Sequence, residues 1–211
     1  AHFFNEARYH GAKVVTIAPD YNPSAVHADL WVPVKVGSDA ALALAIANVL
    51  LEEKLHDEAF LREQTDQPLL VRRDNGKFLR ESDRVRGGRD DVFYVYDTAA
   101  RRVREAPKRS LKLGRIAPAL DGEYDATTLQ GTVKVTPAFT LLREKVAAFS
   151  PEDTQPITGV PPVLVRTLAR DIGRARAATI ITQSNFSKFY HGAEMERAQM
   201  LVLALCGHYG K

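Results

Sequence analysis

Apolar residues fall in short, unbroken runs near the start of this chain, with little alternation. Residues 13–18 (KVVTIA) form a β-branched run of strand length. That pattern predicts a strand covered on both faces, as in a parallel sheet. The segment Pro19-Asp20-Tyr21-Asn22-Pro23 ends it, because prolines and short polar side chains favour turns. A short helix is predicted over residues 24–28. Residues 30–36 (LWVPVKV) predict a second strand, with Pro33 placing part of it at an edge or bulge. Residues 40–53 are apolar almost all round and predict a buried helix. Residues 1–11 read as the second half of a helix that stops at Gly11. Further helices are predicted over 57–64, 138–149, from Ser150-Pro151 onward, over 163–175 and over 193–205. Residues 177–182 (AATIIT) predict a third buried strand. This order of elements predicts an α/β fold: a doubly wound, mostly parallel sheet flanked by helices.

Residues 66–137 break that grammar. Short strand patterns (VFYVYD, GTVKVT) are separated by Asn-Gly, Gly-Gly and Asp-Gly turns, which predicts an irregular surface insertion with β-hairpins. Residues 72–115 hold 14 Lys/Arg against 7 Asp/Glu, although the whole chain has a net charge of only +3. A solvated arginine-rich face is the plainer account of that excess. A docking surface for an acidic partner is the functional one. Nucleic acid is not expected, since the basic residues are scattered among acidic ones and no known nucleic-acid motif is present.

Composition narrows the chemistry. One cysteine excludes a disulfide within the chain and an iron–sulfur cluster held by it alone. The six histidines show no metal-ligand spacing. The longest uncharged apolar run, 40–51, is too short to cross a bilayer. The chain opens without Met and ends on HYGK, which reads as a piece of a longer protein.

In open α/β sheets, ligands bind beyond the carboxyl ends of the strands. Three segments are placed there: 18–22, 37–39 and 183–192. None carries GxGxxG or a P-loop. Asp20 or Asp39 could accept two hydrogen bonds from the N1–H and N2–H₂ edge of a guanine. Gly37 permits close backbone approach, and Ser38 offers a hydroxyl. Taken singly, each of these residues is as well explained as a helix cap or a turn former. The segment 183–192 (QSNFSKFYHG) is rich in polar chemistry. Its Lys188 could reach a phosphate, a dithiolene sulfur or a pterin carbonyl, or simply snorkel off an aromatic surface. His191 is a candidate proton shuttle or a structural hydrogen-bonder.

Residues 11–61 (GAKVVTIAPDYNPSAVHADLWVPVKVGSDAALALAIANVLLEEKLHDEAFL) resemble the molybdopterin-binding region of the dimethyl sulfoxide reductase family of molybdenum enzymes. The later ITGVPPVLVRTLARDI and QSNFSKFYHGAEMERAQMLVLALCGHYGK resemble the same family. TDQPLLVRRDNGKFLRESD and SLKLGRIAPALDGEYD resemble its type II branch, which includes ethylbenzene dehydrogenase, selenate, chlorate and perchlorate reductases and relatives of nitrate reductase. The resemblance implies a catalytic subunit that binds molybdenum through two molybdopterin guanine dinucleotides. It implies that Ala18, Pro19, Asp20, Tyr21 and Asn22, with Gly37, Ser38 and Asp39, hold one guanosine end, Asp39 reading the guanine. Ser184 and Lys188 match positions near the pterin and metal. Lys188 and His191 are the catalytic candidates, and no protein ligand to the metal is expected here. Residues 1–160 would be one cofactor-binding domain and 161–211 the returning part of its neighbour. The implied partners are a small-molecule substrate and an iron–sulfur electron-transfer subunit. The iron–sulfur clusters would lie in the parent protein only, and no direct membrane insertion is expected. The implied location is periplasmic, with the cytoplasm as the alternative. A stand-alone nucleotide-binding or regulatory α/β module is the competing function.

Overall fold

The computed structural model describes residues 2–108, 112–182 and 186–210. The elements run α1 (His2–Tyr9), β1 (Val15–Ile17), α2 (Pro23–Val26), β2 (Leu30–Val32), α3 (Asp39–Glu52) and α4 (Glu58–Gln64). Then come β3 (Leu70–Arg72), α5 (Glu81–Arg84), β4 (Tyr94–Asp97), β5 (Arg102–Glu105), β6 (Tyr124–Thr128) and β7 (Gly131–Pro137). Helices α6 (Ala138–Val146), α7 (Pro151–Thr158), α8 (Pro162–Arg174) and α9 (Gly192–Leu205) complete the order, with a 3-10 turn at Phe186–Lys188. The fold is α/β with small sheets. It divides into two compact units: residues 1–55 with 146–211, and residues 56–145.

In the first unit β1 and β2 pair in parallel, Val15 opposite Leu30 and Ile17 opposite Val32. The Ala18 N–H extends the ladder to the Val32 carbonyl at 3.2 Å. Asp29 secures the other end. Its carboxylate accepts from Arg8 Nη2 at 2.6 Å and from the Val14 N–H at 2.8 Å. The hydrogen bond from Arg8 and that from Val14 hold its pKa below the usual carboxylate value.

Helix α3 is the hub of this unit. It packs against α7, α8 and α9, which explains its lack of a polar face. Leu42, Ala45, Ile46, Val49 and Leu50 are all buried. Ser150 caps α7 by accepting from the Asp153 N–H at 3.1 Å, with Pro151 as the first helical residue. Both are expected there, since a hydroxyl satisfies a free N–H and proline has none to lose.

Two strand expectations are corrected. Ile17 is 44% exposed, so β1 is not covered on both faces. Residues 177–182 form no strand. A strand exists through its ladder, and among the described residues nothing pairs with this segment, since the parallel sheet consists of β1 and β2. Ile181 is accordingly exposed.

The second unit is antiparallel. One sheet has the order β3-β7-β6, and the other is the hairpin β4-β5. Leu70, Leu79, Val92, Tyr94, Ala126 and Val135 form its core. Arg72 is buried and shared between Asp74 (Nη2–Oδ2, 2.7 Å) and Asp83. Asp97 is buried under its hairpin. Burial acts to raise its pKa, but hydrogen bonds from Arg104 and from the N–H groups of Ala117, Ala100 and Ala99 outweigh that and hold it low. Several basic residues of this region are thus paired with its own acids, as Arg72 and Arg104 are. None of the described helices is long and apolar enough to cross a membrane.

Gly173 supplies a test of the packing around α3. A Cβ at this helical position would stand 2.8 Å from Leu55 Cβ and 3.0 Å from Leu50 Cδ2. Gly→Ala in an open helix interior stabilises by about 1 kcal/mol. Overpacking costs about 1–3 kcal/mol. Gly173→Ala is therefore expected to lower the urea midpoint, and a raised midpoint would show that α8 sits loosely on α3.

Candidate functional site

Because β1 and β2 are parallel, their carboxyl ends lie at one edge; the turn 18–22 leaves β1 there, and the turn 37–39 comes after β2 and residues 33–36. The first turn, 18–22, is pinned from behind. Trp31 Nε1 donates to the Ala18 carbonyl at 3.1 Å. Tyr21 meets the same indole edge-on, with ring centroids 5.4 Å apart. Tyr21 is otherwise exposed, as are Pro19 and Asp20. Asn22 is committed elsewhere. Its Oδ1 caps α2 by accepting from the Ser24 and Ala25 N–H groups at 2.9 and 3.2 Å.

The second turn is built on Gly37, whose φ of +81° requires glycine or a strained residue. No atom lies within 4 Å of where a Cβ would stand, so the backbone here is open to approach. Ser38 is buried at the N-cap of α3 but makes no side-chain cap. Its hydroxyl turns back and donates to the Lys35 carbonyl at 2.7 Å.

Asp39 is the first residue of α3. Its carboxylate is half-buried. Burial raises its pKa, against a weaker opposing hydrogen bond from its own backbone N–H. Among the described residues no cation pairs with it. Ser38 therefore makes no side-chain cap, and the Asp39 carboxylate meets its own backbone N–H. What remains is an acceptor at a helix N-terminus, two residues after an open glycine, with no cation to pair it among the described residues.

The segment 183–192 is a separate matter. Ser184 lies outside the described residues. Lys188 ends the 3-10 turn, is exposed, and has no ion-pair partner among the described residues. His191 is held in the left-handed region at φ 60°, ψ 28°, as the N-cap of α9. Its ring stands edge-on to Tyr190 at 4.0 Å, and its Nδ1 lies 3.8 Å from Glu194 Oε1. No hydrogen bond or ion pair among the described residues joins Lys188 or His191 to the two turns. No group of three His, Cys, Asp or Glu side chains among the described residues could hold a metal ion.

Trp31 was not a candidate from the residues alone. The available signal was its being the sole tryptophan, one position into a strand whose partner ends in the turn.

Comparison with known proteins decides which family the chain belongs to. The molybdopterin oxidoreductase family matches over residues 1–211. The chain belongs to that family. Among its relatives, the dimethylsulfide dehydrogenase alpha subunit of Rhodovulum sulfidophilum is 44% identical, over 100% of this chain and 23% of that protein. The chlorate reductase alpha subunit of Ideonella dechloratans is 45% identical over the same shares. The chain thus spans about a quarter of the length of these relatives. Acetylene hydratase from Pelobacter acetylenicus has the same fold, with a TM-score of 0.61 at 19% identity, covering 99% of this chain and 19% of that one. Membership of the family implies a molybdenum–molybdopterin cofactor.

The raised pKa of Asp39 gives a stability test with a definite sign. A carboxylate whose folded pKa exceeds its unfolded value is charged at a cost above the folded pKa, and that cost vanishes below the unfolded value of about 3.9. The favourable placement at a helix N-terminus opposes this, but burial prevails. Asp39→Asn is expected to melt higher than wild type at neutral pH, with the gap closing by about pH 3.5. Melting curves at both pH values check this, and a variant less stable at neutral pH refutes it.

Proposed function

We propose that this chain is a cofactor-binding portion of the catalytic subunit of a molybdenum oxidoreductase. Its two β1–β2 turns would hold the guanosine end of a molybdopterin guanine dinucleotide. The observation that carries this reading is Asp39. Its half-buried, cation-free carboxylate and the open backbone at Gly37 fit a guanine edge that donates two hydrogen bonds.

In this proposal Asp39 accepts from N1–H and N2–H₂ of the guanine. Gly37 lets the base approach the main chain. The Trp31–Ala18 hydrogen bond keeps the 18–22 turn in place, with exposed Tyr21 beside it. Lys188, charged and unpaired among the described residues, would stand near a phosphate or pterin oxygen, with Ser184 close by. His191 would carry protons between that region and solvent. Residues 161–211 would belong to a second cofactor domain of the parent. When bound, the metal centre supplies oxygen or hydroxyl transfer, with two electrons exchanged with iron–sulfur clusters outside this chain.

The relatives are alpha subunits named for dimethylsulfide and chlorate. By extension we propose a small sulfur compound, hydrocarbon or oxyanion as substrate and an iron–sulfur electron-transfer subunit as partner. A periplasmic location is part of the same proposal.

The test begins with the full-length protein, purified anaerobically. Metal analysis and acid hydrolysis should yield about one molybdenum and about two GMP per chain. Asp39→Ala should lower both contents while the protein remains folded. GMP without molybdenum would favour a nucleotide-binding module instead, and neither would defeat the proposal. A second measurement addresses Lys188. Per molybdenum bound, Lys188→Ala should turn over at least about tenfold more slowly, with an unchanged melting temperature. Equal turnover in the loaded variant removes Lys188 from the site.

A further inference from the structure

The second unit contains a cleft that the cofactor does not need. One wall is β5 and the other is β6. Strand β5 is an outer strand of the hairpin sheet, and β6 is an outer strand of the three-stranded sheet. Each therefore has an edge to which no strand pairs among the described residues. A free edge presents unpaired N–H and C=O groups, which natural proteins rarely leave uncovered over any length. On β6 that capacity is visible, since the Thr127 carbonyl accepts from Arg84 Nε at 3.2 Å.

Between the walls lie Tyr96 and Tyr124, stacked with centroids 3.5 Å apart and planes 9° apart. Both pack against the core of the unit, so the cleft has a fixed aromatic lining. Arg84, Arg101 and Arg102 line it as well. Arg84 lies over the Tyr94 ring at 4.5 Å, and Arg101 and Arg102 are exposed. None of the three has a carboxylate partner among the described residues. Five other basic residues of the unit do. Arg72, Arg73, Arg89, Arg104 and Lys108 are each paired. The acids of the cleft are also engaged, Asp125 by Lys134 at 2.9 Å and Glu123 by Arg73 at 3.6 Å. The charge left over in the cleft is therefore positive. Arg101 is in addition held at φ +50°, a conformation costly for a non-glycine residue.

We propose that this cleft binds an extended acidic segment of a partner polypeptide. The segment would add as a strand along the free edges of β5 and β6, while its carboxylates meet Arg84, Arg101 and Arg102. Main-chain pairing supplies affinity in this mode and alternate side chains supply specificity. Charge complementarity speeds encounter and rejects basic competitors. The strand edges favour a polypeptide over nucleic acid, because a phosphate backbone has no N–H to offer them. This inference stands independently of the cofactor.

The test uses the full-length protein and a fluorescent peptide of strand length in which Glu and Thr alternate, with a Lys-and-Thr peptide as control. Anisotropy titration should show binding of the acidic peptide alone, weakening as salt is raised. The double variant Arg101→Gly/Arg102→Ala should bind at least about tenfold more weakly. Glycine accepts the backbone angle at 101, so folding should be kept, and an unchanged melting temperature checks that. Hydrogen exchange should slow in residues 101–105 and 123–128 on binding. No binding of the acidic peptide, equal binding by the variant, protection confined to other segments, or tighter binding of duplex DNA at the same residues would each overturn the proposal.

Discussion

Two three-residue strands running in the same direction decide where chemistry can occur in the first unit. Parallel pairing forces the chain to cross over between them, so both strands deliver their exits to the same edge. The pairing is short and needs clamps. Asp29 ties the strand entrances through Arg8 and the Val14 N–H. Trp31 ties the exits through Ala18. Helix α3 rests on three other helices, and its first residue is Asp39. The proposed site thus draws on the exit of a short ladder and on the first residue of a packed helix.

The carboxylates of the chain divide by how they are satisfied. Asp29, Glu53, Asp74, Glu144 and Glu152 each face an arginine that holds the pKa low. Asp39 faces none, and its pKa moves the other way. A half-buried carboxylate without a cation is a poor structural element, because desolvation is uncompensated. Its presence at the start of α3 fits the acceptor that the proposed guanine would need. The same logic separates Arg84, Arg101 and Arg102 from the paired arginines of the second unit.

Local signals were legible in the sequence and partner-dependent ones were not. Helix α3, the Ser150-Pro151 start of α7 and the amphipathic α8 were readable because their patterns and caps lie within a few residues. The turn at Gly37–Asp39 is also readable, but its residue types fit a helix cap and a guanine acceptor alike. Only the structure shows Ser38 turning back to Lys35 and Asp39 left without a cation among the described residues. The run at 177–182 has the composition of a strand, and composition cannot say whether a neighbour is present to pair with it. The basic stretch looked uniformly solvated because Arg73 finds Glu144 and Arg72 finds Asp83 across many residues of chain. Ion pairs of that range leave no periodic mark. Trp31 was missed for the same reason, since its partner lies thirteen residues earlier.

The indole of Trp31 has one more property. It is the only tryptophan in the chain, and its N–H is bonded to the turn that the proposed guanosine would touch. Indole emission depends on the polarity and hydrogen bonding around that N–H. The turn therefore carries its own optical label, placed by the fold beside the residues whose occupancy matters. In this chain, a change at Ala18 or Tyr21 is written directly into the ultraviolet spectrum, with no chromophore added.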